Sequence, residues 1–208
     1  MIVHCREPGD DSWIHVRGPD PTQAEDEASE SDEESDSEDT HQEKTGKDLP
    51  GLMESWKHLR ESGEKINFSK ITALAQKHRV TFGKWMVFTD EAIKAEIAWN
   101  KIATAIVEER IPSLTAKVSQ YDGTGKHVIC TYNRDYTNES QVYELERALR
   151  SIGIRTRLSY KPDVYTYLGI YVKNEWCVRP TIYASDYYAV DGTSKITRLF
   201  EESQAEGD

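Results

Sequence analysis

The sequence predicts an α+β domain in which helices pack on one face of an antiparallel sheet. Four segments have apolar residues at helical spacing, and short runs rich in β-branched and aromatic residues alternate with them. Several of these predicted strands follow one another through short turns, which only antiparallel neighbours allow. The order of elements therefore favours hairpins and crossing helices over a doubly wound parallel sheet.

Two helices are predicted at the start of the domain. The first covers 50–62, with Leu52 and Trp56 on one side. The second covers 69–78, and Ser69 is the predicted N-cap because its side chain can accept a hydrogen bond from the first helical turn. Both helices have a single apolar side, as expected of helices that cover a core.

A short apolar strand is predicted at 85–88, followed by a long helix to about residue 110. The helix has a broad apolar stripe, which suits a helix lying across a sheet. Pro112 ends it, because proline lacks the amide hydrogen that a helix requires. Two strands at 115–119 and 126–132 then form a hairpin through a glycine-rich turn.

The next helix is the most regular element. Thr137 or Asn138 caps its start, and Gly153 ends it. Glu146 and Arg150 are spaced as an ion pair and are expected on the outer side of this helix. Its predicted core residues are Val142, Leu145, Leu149 and Ile152.

The beginning of a strand is predicted at 158–161, and it leads into a predicted β-hairpin over 160–183. Because successive strand residues point to opposite faces, this hairpin has an aliphatic face that includes Leu168 and Ile170. Its other face carries aromatic rings with a gap at Gly169, contributed by Tyr165, Tyr167 and Tyr171. Such a face can pack against a helix or hold a flat ligand with polar edges.

The three segments of the chain differ in composition. Residues 1–48 are predicted to be a disordered, acidic, serine-rich segment, because they contain too little apolar surface to offset chain entropy. Residues 49–186 form the predicted domain. Residues 187–208 are predicted to be a polar C-terminal tail, mostly disordered, with a short helix around 196–200.

The net charge of −11 arises in one place. Eleven carboxylates and no lysine or arginine occupy residues 20–39, so the rest of the chain is close to neutral. Whole-chain acidity therefore does not describe the surface of the folded domain. Within 149–180, by contrast, basic side chains outnumber acidic ones: Arg150, Arg155, Arg157, Lys161, Lys173 and Arg179 against Asp163 and Glu175.

The acidic segment has three interpretations. The first is a solvated tether. The second is a cover that occupies a basic groove by mimicking nucleic acid. The third is a recruiting site for a protein partner. Its serines among carboxylates are good substrates for an acidophilic kinase: Ser29, Ser31, Ser35 and Ser37. An apolar island around Trp13 precedes the segment and is expected not to dock stably on the domain.

The predicted ligand surface combines rings that stack on bases with cations that neutralise phosphates. Lys161, Arg179 and Lys84 are the cations, and Asp163 accepts hydrogen bonds from a base or sugar edge. The stacking residues are Tyr165, Tyr167, Tyr171 and Trp176. An ordinary mixed surface, with the tyrosines packed under helices and Asp163 bonded to turn amides, is the competing interpretation.

No motif for catalysis or metal binding is found. The chain has neither a Gly-x-Ser-x-Gly elbow nor a His-Glu-x-x-His sequence. His58, His78 and His127 lack an acidic or cysteine partner at ligand spacing. We therefore expect a protein that is not an enzyme and that has no metal and no cofactor.

The three cysteines are an odd number at spacings that match no redox or metal motif. Sparse, unpaired cysteines are typical of a reducing compartment. No apolar run approaches the ~20 residues that span a bilayer. A cytoplasmic or nuclear protein without membrane contact is expected, as a monomer.

Several segments together resemble the basophilic leukaemia-expressed protein family, whose function is uncharacterised. They are Gly-Lys-Trp-Met-Val-Phe at 83–88, Thr-Ala-Lys-Val-Ser at 115–119, His-Val-Ile-Cys at 127–130 and, most specifically, Lys-Pro-Asp-Val-Tyr-Thr-Tyr-Leu at 161–168. The likeness extends from about residue 52 to 183. It implies a fold like that of translation initiation factor 4E, with a curved antiparallel sheet backed by helices.

The cap-binding site of that factor does not carry over residue by residue. The factor stacks methylguanine between two tryptophans and uses a glutamate on the base edge. Here Glu175-Trp176 has the reverse order, and no Trp-Glu pair lies in a loop between predicted strands.

Three hypotheses about function follow. The first is a non-enzymatic binding module for RNA, capped or uncapped, or for a nucleotide-like ligand. The second is a protein-interaction adaptor that uses the acidic segment or the Trp13 island and binds no nucleic acid. The third, more remote, is a hydrolase whose catalytic groups meet only in the folded chain.

Overall fold

A computed structural model describes residues 13–19, 46–120 and 125–200, and within these ranges seven strands form one antiparallel sheet. The strand order is β1-β3-β4-β2-β5-β6-β7. The strands and helices in chain order are β1 (Trp13–Arg17), α1 (Leu49–Glu61), α2 (Phe68–Lys77), β2 (Gly83–Thr89), α3 (Ala92–Val107), β3 (Thr115–Ser119), β4 (His127–Asn133), α4 (Glu139–Ser151), β5 (Leu158–Pro162), α5 (Asp163–Tyr167), β6 (Tyr183–Tyr188) and β7 (Thr193–Arg198). The predicted α+β class is confirmed.

One face of the sheet forms the hydrophobic core with the helices. Trp85 on β2 and Ile129 on β4 point to this face, and apolar residues of α1, α2, α3 and α4 join them in one cluster. The Trp85 indole Nε1 donates a hydrogen bond to the Val142 carbonyl of α4 at 2.9 Å, which satisfies its buried donor. The helices thus cover a single face, as the sequence predicts.

The opposite face of the sheet carries several lysines and is called the lysine face below. The registers of β1, β3, β4, β2 and β5 place on it a set of residues that lies outside the core cluster. They are Trp13, His15, Arg17, Thr115, Lys117, Ser119, Val128, Cys130, Tyr132, Lys84, Met86, Phe88, Ser159 and Lys161.

Side-chain caps define the starts of three helices. Asn67, not the predicted Ser69, caps α2 by accepting from the Lys70 amide at 3.0 Å. Asn138 caps α4, as predicted, and Asp48 caps α1 by accepting from the Gly51 amide at 2.9 Å. Short polar side chains at these positions satisfy amides that the helix cannot pair internally.

The predicted β-hairpin over 160–183 is wrong. β5 ends at Pro162, α5 occupies Asp163–Tyr167, and the strand that pairs with β5 begins at Tyr183. The Asp163 amide donates to the Phe82 carbonyl at 2.8 Å, and Gly169 ends the helical turn with a φ of +71°. The alternation of tyrosines therefore does not form two faces of a strand.

The expectation that the Trp13 island does not dock is also wrong. The island is β1, which pairs antiparallel with β3 over five residue pairs. Val16 of this strand is fully buried in the core cluster. Burial of this side chain and the ladder hydrogen bonds provide the free energy that orders the strand.

Residues after Asp186 continue the sheet. β6 runs to Tyr188 and β7 covers Thr193–Arg198, so the predicted short helix around 196–200 and the predicted disorder of this stretch are wrong. Glu146 and Arg150 are not on the outer side of α4, because both bond Ser185 of β6 and Glu146 is 1% exposed.

Some predictions concern residues outside the described ranges. The four candidate phosphorylation serines and most of the acidic segment lie there, as do most of the glycine-rich turn before β4 and residues 201–208. Among the described residues, none of the helices combines the length and hydropathy needed to cross a bilayer.

Candidate ligand-binding site

Two lysines are direct cross-strand neighbours on the lysine face. Lys84 of β2 lies opposite Lys161 of β5 in the sheet register. The Lys84 ammonium donates to the Asp163 carboxylate at 2.6 Å and to the Thr166 hydroxyl at 3.3 Å. Both side chains of this ion pair are mostly buried, so α5 positions its carboxylate where solvent screening is weak.

The Lys161 ammonium contacts a backbone carbonyl and an aromatic ring instead of a carboxylate. Its ammonium donates to the Ile170 carbonyl at 2.9 Å and lies 3.7 Å from the centre of the Tyr171 ring. Burial lowers its pKa to about 8, and the neighbouring Lys84 charge adds to this effect. A lysine that loses its charge this readily needs a nearby anion to stay protonated well above neutral pH.

Lys117 extends the series to β3. Its ammonium lies 4.2 Å from the centre of the Trp13 ring on β1, and Lys84 lies 5.4 Å from the Tyr132 ring on β4. Each of the three lysines therefore has a ring beside its ammonium, a favourable cation–π arrangement. Cations alternate with flat aromatic surfaces along the lysine face.

A cavity of about 550 Å³ opens at the end of this face. Two aromatic rings, two arginines, one carboxylate and two side-chain amides are among the residues that line it: Phe82, Tyr132, Arg17, Arg134, Glu144, Asn133 and Gln141. The volume lies in the range of small-molecule sites. Tyr132 joins the cavity to the lysine face, because its cross-strand neighbour is Lys84.

Buried hydrogen bonds hold the walls of the cavity. The Tyr160 hydroxyl passes over Gly83 and bonds the side chain of Asn133, where β4 ends. The Asn133 amide donates to the Asp135 carbonyl at 2.9 Å, and the Tyr136 amide donates to the Thr81 carbonyl at 2.7 Å. These contacts fix the turn that leads from β4 into α4, whose first turns contribute Gln141 and Glu144.

Seven of the eight predicted site residues divide into two groups, and Tyr167, at the end of α5, belongs to neither. Lys84, Lys161, Asp163 and Tyr171 meet at the end of the lysine face. A second pocket, of about 310 Å³, is lined by three others together with residues of α2 and the C-terminal segment: Tyr165, Trp176 and Arg179. The predicted single surface is therefore two sites.

The tyrosines of the predicted aromatic face differ in exposure. Tyr165 is 1% exposed and belongs to the core, so it is not a stacking surface. Tyr167 and Tyr171 are 40% and 54% exposed. Trp176 is partly buried and meets Trp56 of α1 edge to face at 4.8 Å. The competing interpretation, in which tyrosines pack under helices, is correct for Tyr165.

Sequence reasoning missed the residues of the larger cavity. Arg17 lay in a segment expected not to dock, and Phe82 precedes the predicted strand. Tyr132 is two residues after Cys130 on β4, so strand periodicity predicts that both side chains lie on the same face of the sheet. Nothing in the sequence indicates that Arg134 and Glu144 line the same cavity, because their meeting depends on the angle between β4 and α4.

The cysteine on the lysine face is a poor nucleophile. Burial raises the pKa of the Cys130 thiol to about 11, although the lysine charges nearby act in the opposite direction. In the described ranges, no group of three or more histidine, cysteine, aspartate or glutamate side chains is arranged to hold a metal ion.

One comparison with known proteins bears on identity. The profile of the family described as "Basophilic leukemia-expressed protein Bles03" matches residues 23–169, which is well over half of the chain. The match covers the elements from α1 to α5, including β2, β4 and β5 of the lysine face. The chain therefore belongs to the basophilic leukemia-expressed protein Bles03 family.

Proposed function

We propose that this protein is a binding module for RNA or a nucleotide-like ligand, which its cavity binds without reaction, with a fold of the translation initiation factor 4E type. The cavity at the end of the lysine face is the proposed base site. The part of the lysine face around Lys117, which is only partly buried, is the proposed path of the phosphates. The antiparallel sheet with helices on one face is the architecture that the 4E resemblance implies.

The observation that carries the proposal is the set of side chains lining one cavity. Phe82 and Tyr132 present rings on which a base can stack. Arg17 and Arg134 supply guanidinium groups, and a guanidinium can donate two parallel hydrogen bonds to two oxygens of one phosphate. Glu144 supplies a carboxylate that accepts hydrogen bonds from the N–H groups of a base edge.

Binding rather than reaction fits the composition of the cavity wall. None of the described residues that line it is a serine, cysteine or histidine, and the Thr115 hydroxyl donates a hydrogen bond to the Val16 carbonyl at 3.1 Å. The lining offers no activated nucleophile for a bound ligand.

The test is a binding titration with the full chain. The chain must keep β1, because Arg17 lines the cavity and β1 is part of the sheet. Fluorescein-labelled single-stranded RNA, capped and uncapped, is titrated by anisotropy at two or more salt concentrations. A variant in which the carboxylates of residues 20–39 are replaced by amides removes competition from the acidic segment.

Saturable binding that weakens with salt is the expected result. For single strands, the slope of log K against log salt is about −0.7 for each phosphate neutralised, so the Arg17→Ala/Arg134→Ala variant should flatten it by about 1.4. Lys195→Ala is the matched control, because Lys195 lies on β7 at the far edge of the sheet. The absence of RNA and nucleotide binding at low salt would refute the proposal.

The adaptor hypothesis predicts a different outcome. A mainly apolar protein interface changes little with ionic strength, whereas phosphate binding weakens steeply. The Trp13 ring is a less accessible contact for such a partner, because Trp13 lies on β1 and the Lys117 ammonium lies over one face of its ring.

A further inference from the structure

A serine, a histidine and an aspartate form a hydrogen-bonded array away from the ligand cavity. Asp48 immediately precedes α1, Ser55 lies in the second turn of α1, and His78 immediately follows α2. The Ser55 hydroxyl oxygen lies 2.9 Å from His78 Nε2, and His78 Nδ1 lies 2.7 Å from Asp48 Oδ2. His78 thus has the partners that its sequence neighbours do not provide.

The direction of the hydrogen bonds follows from the carboxylate. The hydrogen bond from His78 holds the pKa of Asp48 below its usual value, and the Gly51 amide adds to this effect. An ionised carboxylate only accepts, so Nδ1 of His78 carries the proton of that bond. In the neutral imidazole, Nε2 then accepts from the Ser55 hydroxyl, which is the orientation of a general base beside a nucleophile.

Ser55 differs from other helical serines in this chain. The hydroxyls of Ser62 and Ser151 donate to backbone carbonyls three residues earlier, at 2.9 and 2.7 Å. Such local bonds are common for serines in and near helices. Ser55 instead bonds His78, and its oxygen accepts from the Lys77 ammonium at 3.3 Å. A positive charge therefore lies where an alkoxide would develop.

A glycine makes room for the array. A Cβ atom on Gly51 would lie 2.1 Å from Asp48 Oδ2 and 2.8 Å from His78 Nδ1. Glycine within a helix costs about 1 kcal/mol relative to alanine, yet it stands in the first turn of α1. Any larger residue would displace the carboxylate or the imidazole.

We propose that Ser55, His78 and Asp48 carry out acyl transfer from small activated esters. The array uses residues other than those of the ligand cavity, so this proposal is independent of the binding function. Ser55 and His78 are the catalytic residues, and Asp48 is a positioning residue that orients the imidazole. Ser55 is only half-buried and Lys77 is exposed, so the array opens to solvent and suits short acyl groups.

The reaction balances with water as the second substrate. Ser55 Oγ bonds to the ester carbonyl carbon while its proton moves to His78 Nε2. The bond to the leaving alcohol then breaks, and the alcohol oxygen takes that proton. Water attacks the acyl-serine with the same proton transfers, which releases the carboxylic acid and restores Ser55. The Lys77 ammonium, 3.3 Å from Ser55 Oγ, is the cation beside which the negative charge develops.

The first experiment uses a fluorophosphonate probe on the full chain, with the modified residue mapped by mass spectrometry. The expected label is on Ser55, and Ser55→Ala removes it. Ser62→Ala, a change of the same kind in the helix-terminal serine, leaves the label intact. His78→Gln should slow labelling by about 100-fold, the lower range for loss of a general base. Hydrolysis of p-nitrophenyl acetate should follow the same order.

Two further variants separate catalysis from structural support. Asp48→Asn should lower the labelling rate and change its pH profile, because the imidazolium loses the carboxylate beside it. Gly51→Ala keeps all three side chains but intrudes on the Asp48–His78 contact, so labelling should fall. Gly46→Ala, whose added Cβ would have no neighbour within 4 Å, should not matter.

An unlabelled Ser55 in the folded wild-type chain would overturn the proposal, as would equal labelling of wild type and His78→Gln. In those cases the three side chains serve only to cap α1 and to join it to α2. Melting curves monitored by circular dichroism establish that each variant is folded before its labelling rate is compared.

Discussion

Lys84 and Lys161 face each other across β2 and β5, yet within the described residues only Lys84 has a carboxylate at ion-pair distance. Asp163 supplies that carboxylate from the first residue of α5. Like charges directly opposite in a sheet are destabilising, and burial strengthens the effect. The misassigned segment after Pro162 therefore has a defined role, since α5 brings an anion to a buried pair of cations.

Asp163→Asn should destabilise the fold by about 3 kcal/mol, because it leaves the buried Lys84 ammonium without its counterion. Urea unfolding at pH 7 measures the change. Asp191→Asn is the control, since Asp191 is exposed in the turn between β6 and β7 and should alter stability by less than about 0.5 kcal/mol. Equal effects of the two substitutions would contradict the importance of the ion pair.

The titration of Lys161 should make stability depend on pH. Its pKa is about 8 in the folded chain against an ordinary value of 10.5, so the unfolded chain binds more protons between these pH values. The free energy of unfolding therefore gains a contribution that rises from pH 8 to 10.5. Lys161→Met lacks this contribution.

Urea unfolding of wild type and Lys161→Met at pH 7, 8, 9 and 10 tests the sign. The stability of the wild type relative to the variant should increase with pH over this range. Taking the difference between the two proteins cancels the titration of other lysines and tyrosines. A difference that is constant with pH, or that falls, would show that the pKa of Lys161 is not lowered in the folded chain.

Val16→Ala should cost about 2 kcal/mol, since the side chain is fully buried between the sheet and its helices. Val190→Ala provides a control at a valine that is 98% exposed and should have almost no effect. If both substitutions were neutral in thermal melts, β1 would not be part of the folded sheet. A chain that begins at residue 49 should aggregate, because loss of β1 exposes β3 as an edge strand.

Gly83→Ala should destabilise the fold by at least about 2 kcal/mol. The new Cβ would lie 2.1 Å from the Tyr160 hydroxyl, and the Tyr160 ring packs against the rings of Trp85 and Tyr183. The same substitution at Gly46, where the added Cβ would meet nothing within 4 Å, should leave the melting temperature unchanged. A tolerated Gly83→Ala would mean that the Tyr160–Asn133 hydrogen bond does not hold the cavity wall.

Local patterns predicted most of the secondary structure. Four helices and the strands β2 to β5 lie close to their predicted positions, because apolar spacing and capping residues act within a few residues of each other. The failures have a common cause. Tyr165 and Tyr167 alternate as in a strand, but the turn that they form is helical because the Asp163 amide bonds Phe82, which is about eighty residues earlier.

The candidate sites were less predictable than the elements. Cationic and aromatic residues near 161–179 did point to Lys161, Asp163 and Tyr171 at the lysine face. The cavity itself combines Arg17, Tyr132 and Glu144 from three distant parts of the chain. The array of Ser55, His78 and Asp48 forms across the junction of α1 and α2, and spacing along the chain says nothing about that junction.

The sequence by itself determined the α+β class, the family and the concentration of negative charge outside the domain. Those properties follow from composition and from interactions between near neighbours. Tertiary structure alone decided how deeply Lys84 and Lys161 are buried, which carboxylate neutralises Lys84 and which tyrosines are buried. The reason is physical: these outcomes depend on contacts between segments far apart in the chain, and their free energies are gained only when the core packs.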